Sequence, residues 1–91
     1  MQTLPSPHPA VMFQPITDGA VLLHMEDEIY FGLNAVGARV WQMLPPHHAE
    51  LDDLCASLSA TYPDADPNEI RSDVIELLDH LRAERLVVDH N

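Results

Sequence analysis

Lysine is absent from this sequence, cysteine and glycine are scarce, and no long apolar run occurs. Four arginines stand against 15 acidic residues, which gives a formal net charge of −11. Nucleic-acid binding depends on Lys and Arg to neutralise phosphates, so so acidic a chain would need a concentrated basic patch. Arg71, Arg82 and Arg85 share the last predicted helix, but Asp73, Glu76, Asp79 and Glu84 are interleaved with them. That argues against a nucleic-acid partner and equally against an anionic membrane. The three glycines, at 19, 32 and 37, are scattered and build no phosphate-cradling loop. One cysteine excludes an internal disulfide and is compatible with a reducing compartment. No apolar stretch approaches the roughly 20 residues that span a bilayer. The opening "MQTLPSPHPA" has neither the basic residue nor the apolar segment of a signal peptide. These absences together predict a soluble cytoplasmic protein.

What remains is enough for one small core. Ninety-one residues close a single domain, and with aromatics at 5% that core must be aliphatic. Residues 1–9 carry three prolines between Pro5 and Pro9, which predicts a flexible or extended arm. Residues 10–91 form the domain.

Three strands are predicted first. "AVMFQ" (10–14) stops at Pro15, "GAVLLHM" (19–25) follows the turn signal Thr17-Asp18-Gly19, and "EIYFGL" (28–33) follows Glu26-Asp27. Two close turns make an antiparallel meander. Three helices follow. Asn34 caps "AVGARVWQML", which ends at Pro45-Pro46 and repeats Val36, Val40, Met43 and Leu44 at helical spacing beside Trp41. A second helix over about 49–61 aligns Leu51, Leu54, Cys55 and Leu58. The third has Asp66 as cap, Pro67 at its first position and Glu69 three residues after the cap. It runs to about Glu84 with a broad apolar face of Ile70, Val74, Ile75, Leu77, Leu78 and Leu81. "LVV" (86–88) is a short apolar end able to dock back on the body. This order predicts a small α+β domain, winged-helix-like, with a three-stranded antiparallel sheet followed by three helices.

The chemistry-bearing residues point away from catalysis. Six histidines show no ligand spacing, and no second cysteine exists, so no metal is expected. Cys55 lies on an apolar stripe beside Asp52 and Asp53, where it packs as a small hydrophobe and not as a thiolate. No cofactor loop and no nucleophile with a base are present, so the expectation is not an enzyme. The outer strand 28–33 is different. It contains no proline or lysine to blunt its edge, and beside the apolar last helix it would bound a groove. Such a groove suits an extended peptide added as one more strand, with Tyr30, Ile75 and Leu78 as candidate pocket residues.

"GAVLLHMEDEIYFGLNAVGARVWQML" followed by "DVIELLDHLRAERLV" resembles the PqqD-like family of leader-peptide recognition domains (RiPP recognition elements). The resemblance covers about residues 11–88, and Leu33-Asn34-x-x-Gly37 after an aromatic strand is its most distinctive part. The free-standing leader-binding proteins of lasso-peptide biosynthesis look most similar. The resemblance implies a non-catalytic adaptor whose third strand receives the leader of a precursor peptide as an antiparallel strand. The adaptor would deliver it to a leader peptidase, with a cyclase acting afterwards. Glu28, Ile29, Tyr30, Phe31 and Gly32 would supply the pairing edge, and Arg71, Val74, Ile75, Leu78 and Arg82 the helix side. Glu84-Arg85 departs from the small residue and glycine that close the helix in many relatives, leaving the placement of Leu86–Val88 open. A DNA-binding regulator and a peptide chaperone for pyrroloquinoline quinone biosynthesis are the alternatives, and a monomer or weak dimer is expected.

Overall fold

The computed structural model describes residues 3–45 and 47–89; Met1, Gln2, Pro46, His90 and Asn91, included in the expectations above, lie outside that set. The elements are β1 (Ser6–Pro7), β2 (Val11–Ile16), β3 (Gly19–His24), β4 (Ile29–Asn34), α1 (Ala35–Met43), α2 (Leu51–Thr61), α3 (Pro67–Ala83) and β5 (Val87–Val88). The α+β class expected from the pattern is the one found: an antiparallel sheet ordered β2-β3-β4, then three helices.

Alternation in the strands sorts the sheet into two faces. The register sets Phe13, Leu22 and Phe31 in one row and Ala20 beside Leu33 in the next. Ala20, Leu22 and Leu33 are buried, and α1 packs against β3 and β4 on this side. The opposite face carries Met12, Leu23 and Tyr30 in one row and Val21 beside Gly32 in the next. That face is open to water, with Met12 54% and Tyr30 73% exposed.

β2 continues past the expected stop at Gln14, through Pro15 to Ile16. The ladder explains the difference. Met25 N–H donates to the Ala10 carbonyl at 2.9 Å, so hydrogen-bonded pairs between β2 and β3 fall on alternate residues from there: 12/23, 14/21 and 16/19. Pro15 therefore points its nitrogen away from β3, and its missing N–H costs no ladder bond.

Each helix boundary has a local cause. Asn34 Oδ1 accepts the Gly37 N–H at 2.7 Å, and a Cβ on Gly37 would sit 3.2 Å from that same oxygen. This contact accounts for the Leu33-Asn34-x-x-Gly37 pattern. Val40, Trp41 and Leu44 anchor α1 in the core, whereas Val36 is 39% exposed. Asp66 Oδ1 accepts the Asn68 N–H at 2.9 Å with Pro67 opening α3. At the far end, Leu86 N–H reaches the Leu81 carbonyl and Arg85 N–H the Arg82 carbonyl, the paired bonds of a Schellman stop. Arg85 takes φ 59° there.

The N-terminal residues, expected as a flexible or extended arm, are extended and docked. β1 pairs antiparallel with β5, Leu4 N–H donates to the Ala49 carbonyl at 2.8 Å, and Leu4 and Pro5 are fully buried. The Leu86–Val88 segment thereby finds its place between α3 and the arm. No helix among the described residues is long and apolar enough to cross a membrane.

Candidate functional site

The two sheet edges are not equivalent. If 19, 21, 23 and 25 turn their backbone groups toward β2, then 20, 22 and 24 face β4. Their partners Leu33, Phe31 and Ile29 are then used up. Tyr30 and Gly32 direct their N–H and C=O groups outward from β4. On β2 the outward groups belong to Val11, Phe13 and Pro15. Val11 N–H is already bound to the His8 carbonyl at 3.0 Å, and Pro15 has none to give. The β2 edge is blunted at both ends, and the β4 edge is open.

Beside that open edge lies a groove of about 610 Å³. β4 contributes Phe31 through Asn34, α1 contributes Val36, Gly37 and Val40, and α2 and the loop after it contribute Leu58, Tyr62 and Ala65. The far wall is one face of α3: Ile70, Asp73, Val74, Leu77 and His80. Steps of three and four residues from Ile70 to Asp73 and Val74, and from these to Leu77 and His80, keep them on one stripe. The exposed Val36 is explained here, since it stands at the groove and not in the core.

The residues expected to form the site divide. Tyr30 and Gly32 are at the edge as expected from the strand, whereas Phe31 lines the groove with its backbone bonded to β3. Ile29 is in β4 but bonds to β3. Glu28 is outside the strand: its φ of 55° breaks the extended run, and its N–H is held by the His24 carbonyl at 2.8 Å. Of the α3 residues expected at the site, only Val74 lines the groove. Ile75, Leu78 and Arg82 sit on the other side, around a small cavity of about 40 Å³ shared with Thr3 and Leu4 of the arm. Arg71 reaches Asp52 of α2 at 2.7 Å, and Arg82 reaches Asp79 and Asp89. The apolar face of α3 is wide enough to serve two neighbours: Leu78 is buried beside the arm, while Ile75 stays 36% exposed. Leu77, Ile70, Asp73 and His80 were missed for the same reason.

Two other clusters carry no chemistry of their own. His8 and His24 come together from the arm and β3 with ring centroids 4.6 Å apart, and Glu26 lies within ligand reach of both. Sequence spacing gave no hint of this pairing. Yet His8 Nδ1 accepts the Ala10 N–H and His24 Nδ1 accepts the Asp27 N–H. A histidine that binds a metal through Nε2 needs its proton on Nδ1, donated to an acceptor; both Nδ1 atoms here face donors. The donor set does not suit a cation. Cys55 is buried. Burial pushes its thiol above the ordinary range, with Arg71 opposing and Asp52 adding, which describes a packed thiol and not a nucleophile.

The model of the family described as coenzyme PQQ synthesis protein D matches residues 19–87. The chain belongs to the PqqD family. Among solved structures, this PqqD-family chain is similar to the one titled "TbiB1 in Complex with the TbiA(beta) Leader Peptide". The TM-score is 0.82 and the identity 29%, with 94% of this chain and 98% of that one covered. No curated protein matches the PqqD-family chain in sequence. The resemblance to PqqD-like leader-peptide recognition domains is thus borne out by family and by structure.

Proposed function

We propose that this chain is a non-catalytic adaptor that binds the leader of a ribosomally made precursor peptide as an added strand on β4. The observation that carries the reading is the open Tyr30–Gly32 edge beside an apolar groove. The two N–H and two C=O groups of those residues offer hydrogen bonds worth about 0.5–1.5 kcal/mol each. Their sum falls short of the several kcal/mol that association costs, so affinity must come from side chains buried in the groove. Phe31, Val40, Val74 and Leu77 supply apolar walls for them. A Cβ at Gly32 would meet nothing within 4 Å, so the chain's own packing does not ask for glycine there. Close approach of a further strand does.

The likeness to a protein solved with its leader peptide, at 29% identity over nearly the whole chain, supports the same class of ligand. The resemblance to free-standing leader-binding proteins favours a lasso-peptide pathway, in which the bound leader is presented to a leader peptidase before a cyclase acts. The outer face of the sheet, with Met12, Ile16 and Tyr30 exposed, stays uncovered for such an enzyme. The groove is lined mainly by apolar side chains, which fits holding a peptide.

Calorimetry with the synthetic leader of the precursor encoded beside this chain tests the reading. Binding is expected, and Tyr30→Pro, which removes an outward N–H and no ladder bond, abolishes it while circular dichroism stays unchanged. No heat at concentrations on the order of tens of micromolar with folded protein would sink the proposal. Binding instead to the peptide precursor of pyrroloquinoline quinone would assign the chain to that pathway.

A further inference from the structure

We infer that the leader carries a lysine or arginine among its groove-facing residues, and that Asp73 is the residue that selects it. This rests on the groove being the leader site. Asp73 stands on the α3 wall among Ile70, Val74 and Leu77 and is the only acidic residue lining the groove among the described residues. No arginine reaches it there: Arg71 is engaged with Asp52, and Arg82 with Asp79 and Asp89 on the other side of the helix. Among the described residues the Asp73 side chain has neither a hydrogen-bond nor an ion-pair partner. His80 and Tyr62 are the other titratable groups on the lining, and neither brings a fixed positive charge.

In the free chain this carboxylate is exposed and solvated. A strand laid between β4 and α3 changes that, because covering the half-exposed Leu77 also strips water from the Asp73 carboxylate beside it on the same wall. An apolar leader residue at that point would desolvate the charge without compensation. A lysine or arginine would pair with it in a charge-assisted hydrogen bond. The net charge of −11 acts in the same direction, steering a cationic segment inward and repelling an acidic one. Side chains of an added strand alternate between faces, and those opposite Phe31 and Leu33 face the groove. The signature is therefore a basic residue separated by two positions from an apolar one.

The test measures affinity of the same synthetic leader by calorimetry for the wild type, Asp73→Asn and Asp73→Arg, with thermal melts to confirm folding. Asp73→Asn is expected to weaken binding about two- to fivefold and Asp73→Arg about tenfold or more. A leader in which the groove-facing Lys or Arg is replaced by Glu restores affinity for Asp73→Arg while losing it for the wild type. Wild-type affinity in Asp73→Arg overturns the inference, as does full affinity for a leader with no basic residue at a groove-facing position. Absence of wild-type binding would instead sink the leader reading itself.

Discussion

Arg85 holds a side chain where the backbone favours none. Its φ of 59° lies in the left-handed region, which costs a residue with a Cβ about 1–2 kcal/mol. The position is the one that follows the cap in a Schellman stop, where glycine is usual. Arg85→Gly should raise stability by about 1 kcal/mol after the added freedom of the unfolded chain is set against the relief. A urea midpoint that stays put or falls would contradict this. The helix nevertheless ends where the pattern predicted, because Leu81 and Leu86, both fully buried, hold the stop from either side. Other single residues were as legible. Asn34 and Asp66 cap the helices assigned to them, since a cap needs only its own side chain and the next few N–H groups. Glu28 was not legible: a tight turn set its dihedral, and the charge pattern alone could not reveal that.

At the level of elements, the last helix shows where sequence reading runs out. Its apolar positions were all visible, and they wrap around two sides of the cylinder. Which side meets the groove depends on what covers the other, and that is settled by β1 pairing with β5 across most of the chain length. Prolines at 5, 7 and 9 suppress any strand signal in the arm, so the pairing could not be foreseen. The face assignment has a direct test. Leu77→Ala should weaken leader binding about five- to tenfold through lost burial, while Arg82→Ala leaves affinity within about twofold. Calorimetry showing the reverse order would put the peptide on the arm side. The sheet was easier to read, because its alternation and short turns are local. Only the extension through Pro15 needed knowledge of which way that nitrogen points.

At the scale of the whole molecule, three features converge on one edge. The β2 side is blunted by His8 and Pro15, the helices cover one face of the sheet, and the acidic surface opposes nucleic acid. Of the four arginines, Arg71 and Arg82 are tied to aspartates, Arg39 lies apart on α1, and Arg85 follows the end of α3. What is left open is the β4 edge and the groove beneath α3. Amide hydrogen exchange measured residue by residue, with and without the leader peptide, tests that claim most directly. The Ile29, Phe31 and Leu33 amides, already in the ladder, should be protected in both states. The Tyr30 and Gly32 amides should exchange freely in the isolated chain and become protected when the leader binds. Leader binding that leaves Tyr30 and Gly32 exchanging as before would contradict strand addition at β4.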